Sequence, residues 1–169
     1  MRGEQPSGPS LDASPFRFAV IVSRFNETIT ASLRSAAVDA LSRAGAAGTN
    51  VEVFDVPGAY EIPQAARAAA ETGRFDAIVC LGCVIRGETP HFDYISSAVA
   101  HGVMTAAGDT GVPMAFGVLT TDTPEQASAR AREGADDNKG REAAVAAIEM
   151  AALYRRLGNA PSRPTGFRA

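Results

Sequence analysis

A few short stretches hold most of the side chains suited to acid–base or anion chemistry. Gly87-Glu88-Thr89 offers backbone N–H groups and a hydroxyl just ahead of a helical pattern near Asp93, an arrangement that holds a phosphate without much net charge. His91 lies two residues past Thr89, within reach of a phosphate ester bound there. The competing reading of a lone histidine is a structural one. Arg130, in a later helical pattern, can complete the phosphate site with its forked guanidinium, against the plainer reading of a solvated helix arginine beside Arg132. Phe25 stands where no core residue is required and can stack on a planar ring, or simply anchor its own loop. Glu61 can hydrogen-bond ligand hydroxyls or favour a helix N-terminus electrostatically. His101 sits mid-helix near Ala98 and Thr105 and belongs to no motif.

Cys80 and Cys83 form a C-x-x-C inside the apolar run 78–85 instead of at a helix start. Residues three apart on a strand face opposite sides, so a disulfide or shared metal is disfavoured and two buried or half-buried thiols are expected. No second cysteine pair is present to complete a zinc site.

These residues need a scaffold, and the periodicity supplies one. Four runs rich in Val, Ile and Phe read as strands: Phe16–Ser23, Val51–Val56, Phe75–Ile85 and Pro113–Thr120. Helical patterns separate them at Thr30–Ala44, Glu61–Thr72 and Asp93–Ala107, and two more follow at Pro124–Glu133 and Arg141–Leu157. Alternating strands and helices with short connections predict a three-layer α/β/α sandwich around a four-stranded, mainly parallel, flavodoxin-like sheet. In such a sheet ligands bind beyond the carboxyl ends of the strands. The segments that follow the strands, 23–27, 57–63, 86–93 and 121–125, are the ones that carry Phe25, Glu61, Thr89 and His91.

The chain has 169 residues, 46% hydrophobic and 21% charged, so one globular domain is expected and disordered or low-complexity classes are excluded. A net charge of −3 gives no footprint for nucleic acid or an anionic membrane. No signal-like or membrane-spanning apolar stretch is seen, and the expected address is the cytoplasm. Residues 1–15 and 158–169 read as mobile tails around a domain at 16–157. The last helical pattern, 141–157, has 12 apolar residues of 17, too many for one core-facing stripe. A partner subunit would cover the excess; alternatively, its small alanines are harmless in water. Neither G-x-x-x-x-G-K-[ST] nor G-x-G-x-x-G occurs at the candidate phosphate loop, which leaves nucleotide hydrolysis and dinucleotide binding without their usual support.

Five separated motifs stand in one order: 24–26 (RFN), 57–63 (PGAYEIP), 81–93 (LGCVIRGETPHFD), 116–122 (FGVLTTD) and 138–140 (NKG). Together they resemble the 6,7-dimethyl-8-ribityllumazine synthase family over about Phe16 to Leu157. The resemblance implies condensation of 5-amino-6-(D-ribitylamino)uracil with 3,4-dihydroxy-2-butanone 4-phosphate, releasing phosphate and water, at the penultimate step of riboflavin biosynthesis. It implies no cofactor and no metal. By motif position it implies that Phe25 stacks on the pyrimidine and that Ala59, Tyr60 and Glu61 line the ribityl and ring pocket. Cys83, Val84 and Ile85 would add mainly backbone contacts, and Phe116 would bound the pocket. Glu88, Thr89 and Arg130 would hold the phosphate, and His91 would donate the proton.

The family is pentameric, with sites between adjacent subunits, and some members assemble pentamers into an icosahedral shell. The stretch 130–140 is one residue longer than the common short version and is acidic, which tips the expectation toward the free pentamer. Counting forward from Phe116 selects Arg130 for the phosphate, whereas counting back from Asn138 falls nearer Arg132; an insertion in the loop 134–137 favours Arg130. Two other readings compete. A flavodoxin- or receiver-like domain needs a phosphate loop or acidic pocket where this chain has Ser23-Arg-Phe-Asn26. A non-catalytic flavin- or lumazine-binding scaffold would have no need of His91 beside Thr89 and Arg130.

Overall fold

The computed structural model describes residues 10–159. Four strands, β1 (Phe18–Ser23), β2 (Val51–Val56), β3 (Ala77–Ile85) and β4 (Met114–Thr121), form one sheet in the order β2-β1-β3-β4. All three pairings are parallel. Five α-helices connect or follow them: α1 (Glu27–Arg43), α2 (Ile62–Glu71), α3 (His91–Thr110), α4 (Pro124–Arg130) and α5 (Lys139–Arg156). The expected α/β sandwich is the one found.

β1 and β3 are central and buried on both faces, which is why they read as unbroken apolar runs. Alternation assigns their side chains to two cores. Val20, Val79, Leu81 and Cys83 pack with Leu33, Leu41 and Ile148 of α1 and α5. Ile21, Ile78 and Cys80 pack with Ile62, Ala66, Val99 and Val103 of α2 and α3. The two thiols therefore lie on opposite sides of the sheet, both free. Burial pushes Cys80 up to about 12 and Cys83 up to about 11.

Helix boundaries differ from the expectation for local reasons. The first helix begins at Glu27, three residues early, because Asn26 (φ 60°) turns the chain in the left-handed region directly after β1. The expected helix 61–72 opens as a 3₁₀ turn, Ala59–Glu61, before α2 takes over with Pro63 in its first turn. α3 runs from His91 to Thr110, longer than the expected 93–107, and stops at Gly111 (φ 70°). α4 ends at Arg130, short of the expected 133.

Within the stretch expected as an N-terminal tail, Ala13 is buried and its N–H donates to the Ala44 carbonyl at 2.8 Å. The rest of that tail, residues 1–9, and residues 160–169 of the C-terminal one lie outside the described residues. On α5 the excess apolar surface is real: Met150, Leu153 and Leu157 are exposed while Ala144, Ala147 and Ile148 are buried.

Candidate functional site

Three loops at the carboxyl ends of β1, β2 and β3 are sewn together by hydrogen bonds. The N–H groups of Arg24 and Phe25 donate to the carbonyls of Val56 and Pro57, at 2.9 and 3.2 Å. Asn26 Nδ2 donates to the Cys83 carbonyl at 2.9 Å, using its side chain to reach β3. The left-handed backbone at Asn26 and this bond together turn the preceding Phe25 ring outward, where it is 73% exposed.

The result is a cavity of about 300 Å³ lined by Phe25, Asn26, Gly58, Ala59, Tyr60, Cys83, Val84, Ile85, His91 and Ile95. Seven of the expected site residues meet here: Phe25, Ala59, Tyr60, Cys83, Val84, Ile85 and His91. The aromatic surface of Phe25 and Tyr60 and the aliphatic wall of Val84 and Ile85 suit a planar ring, with backbone polar groups at hand to orient it. His91 stands at the first position of α3, exposed, with Ile95 one turn behind it. Its neighbours Glu88 and Thr89 are exposed in the short loop between β3 and α3, beside the helix N-terminus.

Glu61 behaves differently from a free ligand-binding carboxylate. Its Oε2 accepts the Gly58 N–H at 2.9 Å and closes the turn that displays Ala59 and Tyr60. Its second oxygen remains for another donor.

Phe116 and Arg130 are elsewhere. They line a separate cavity of about 500 Å³ between edge strand β4 and helices α4 and α5, with Thr120, Lys139 and Glu142. Phe116 is 45% exposed on that edge. The two cavities share no lining residue, so a single chain presents the expected site as two halves on different surfaces. Arg132 is bound up in the following loop, where it pairs with Asp137 at 3.2 Å, whereas Arg130 borders the cavity, its Nη1 donating to the Gln126 carbonyl.

Two features went unassigned in the sequence. Lys139 Nζ donates to Glu142 Oε2 at 2.6 Å on the wall of the second cavity. The 138–140 motif marked the place, but its lysine was given no role. Arg86 bridges Asp93 and Asp122 over the Phe92 ring, a contact across 36 residues that spacing does not reveal.

Among the described residues no helix is long and apolar enough to cross a membrane. No cluster of three or more His, Cys, Asp or Glu side chains among them is placed to hold a metal ion.

The chain is similar to known proteins over most of its length. The sequence profile of the 6,7-dimethyl-8-ribityllumazine synthases matches residues 15–155. The chain is 52% identical over 147 residues to the 6,7-dimethyl-8-ribityllumazine synthase of Syntrophus aciditrophicus (strain SB), covering 87% of this chain and 95% of that protein. It is 56% identical over 141 residues to the enzyme of the same name from Salinibacter ruber (strain DSM 13855 / M31), covering 83% and 90%. With its parallel sheet, its loop-built cavity and its five motifs in order, the chain belongs to the 6,7-dimethyl-8-ribityllumazine synthase family.

Proposed function

We propose that this chain condenses 5-amino-6-(D-ribitylamino)uracil with 3,4-dihydroxy-2-butanone 4-phosphate to 6,7-dimethyl-8-ribityllumazine, at a site assembled from two copies. The pyrimidine stacks on Phe25 in the cavity beyond β1–β3, against Val84 and Ile85, with the ribityl chain toward Tyr60 and the free oxygen of Glu61. Phosphate is held at Glu88 and Thr89 by backbone N–H groups and the threonine hydroxyl at the start of α3. Phe116 and Arg130 of an adjacent copy close the cavity and complete the phosphate site. Around a ring this arrangement repeats head to tail, which favours a closed homopentamer with the apolar excess of α5 in its contacts. The acidic 131–140 segment favours the free pentamer over a shell, and the reaction takes place in the cytoplasm.

His91 is the proton carrier. The aryl amine attacks the ketone and the carbinolamine loses water, phosphate leaves, and the second nitrogen closes the ring on the remaining carbonyl with loss of a second water; each stage moves a proton on or off an oxygen, nitrogen or carbon near the phosphate end. An imidazole nitrogen can accept a proton in one stage and return it in the next, so one side chain serves several transfers. Holding two substrates in register supplies the larger share of the acceleration.

The observation that carries this reading is the convergence of Phe25, Tyr60, Val84, Ile85 and His91 on one cavity. The test mixes purified protein with both substrates and follows lumazine absorbance against a protein-free control, then repeats it with His91→Ala and Arg130→Ala. Saturable acceleration is expected, lowered about 10²-fold or more by His91→Ala yet still above the spontaneous rate. Calorimetry should show His91→Ala still binding substrate. Ligand binding with no acceleration in the unsubstituted protein would instead establish a binding scaffold.

A further inference from the structure

Arg86 is the first residue past β3 and is held from three directions. Its backbone N–H donates to the Thr121 carbonyl at the end of β4, at 2.9 Å. Its Nε donates to Asp122 Oδ1 at 2.8 Å, and its Nη1 lies 3.3 Å from both carboxylate oxygens of Asp93 in the first turn of α3. The guanidinium carbon sits 4.2 Å from the centroid of Phe92, a ring that is itself buried.

Ion pairs this exposed add little to folding stability, with 44% of the Arg86 side chain and 64% of each aspartate accessible. Their geometry matters more than their strength. The connection Gly87–Pro90 begins at Arg86 and ends where Arg86 grips α3, so both its ends are tied to one side chain. Packing does not hold its start, since a Cβ at Gly87 would meet nothing within 4 Å. Charge adds a second requirement: Asp93 and Asp122 bring two carboxylates beside the connection proposed to receive the phosphate, and Arg86 is matched to both. The network continues beyond Asp122, whose N–H donates to Gln126 Oε1 at 3.0 Å on the helix that bears Arg130.

We infer that Arg86 is a positioning residue for the condensation: it fixes the Gly87–Pro90 connection and offsets Asp93 and Asp122, so that Thr89 and His91 can receive a phosphate ester. This rests on the proposed placement of the phosphate at that connection.

The test measures steady-state KM for each substrate, inorganic phosphate binding by calorimetry, and the unfolding midpoint in the full-length protein and its Arg86→Met, Arg86→Lys, Thr89→Ala and Arg86→Met/Asp122→Asn variants. Arg86→Met should raise KM for the butanone phosphate and Kd for phosphate about tenfold, leaving KM for the pyrimidine within about twofold. Removing the Asp122 charge in that background should recover part of the loss, which a merely structural role would not produce. Lysine should rescue little, because one ammonium cannot fork to two carboxylates while lying on a ring. The inference is overturned if Arg86→Met leaves both KM values unchanged, or shifts both together in step with a lowered midpoint, while Thr89→Ala still weakens phosphate binding. Unchanged phosphate affinity in Thr89→Ala would overturn the placement of the phosphate, and this inference with it.

Discussion

Two thiols three residues apart on β3 behave as core atoms because of where alternation puts them. In an unfolded chain each ionises near 9.0, but burial pushes Cys80 up to about 12 and Cys83 up to about 11. The folded protein therefore holds these protons more tightly, and the stabilisation this gives is complete below pH 9 and lost as the pH rises toward 12. Unfolding midpoints of the native protein should fall across that window, more steeply than those of Cys80→Ala. At pH 8 the native thiols should resist iodoacetamide and react once denaturant is added. Their opposed faces were legible from spacing alone; Phe25 was legible only as a ring free to stack or a loop anchor, and the structure turns it outward. Glu61 was legible only as two alternatives, and the structure spends one of its oxygens on the Gly58 N–H. Arg86 was not legible, because Asp122 is brought to it only by the pairing of β3 with β4.

Strands and helices were easier to read than their ends. β2 lies at Val51–Val56 as its alternation predicts, and the other strands lose or gain one or two residues at their margins. α3 was misjudged at both ends: Asp93 resembles a helix start, yet Pro90 and His91 already turn helically, and the chain continues to Gly111. α1 and α5 approach each other closely at Gly140, where an added Cβ would lie 2.0 Å from the Leu33 carbonyl oxygen. The Ala-rich buried face of α5 is the matching requirement, since larger side chains would hold the two helices apart. Gly140→Ala should cost roughly 3 kcal/mol, read as a lowered midpoint in denaturant with an unchanged slope. That substitution should also slow turnover, because Lys139 and Glu142 in the same turn line the second cavity.

For the molecule as a whole, the sequence pattern pointed to one α/β domain, and only the family resemblance implied a site between subunits; the pattern itself did not show that a single chain separates the expected site residues. Periodicity speaks only of the chain's own core, whereas the division follows from Phe116 and Arg130 lying on an edge strand and its flanking helix, away from the loops that carry Phe25 and His91. The cavities that share no residue make the two defects separable by chain. A protein with His91→Ala keeps a sound Arg130, and one with Arg130→Ala keeps a sound His91. On the proposed sharing of the site between copies, the two impaired preparations, unfolded together in equal amounts and refolded, should regain about a quarter of the unsubstituted activity, the fraction of random interfaces at which both contributions are intact. Mixed without unfolding, they should stay at their low rates for as long as subunits do not exchange, so the recovery of activity with time becomes a clock for the lifetime of the proposed assembly.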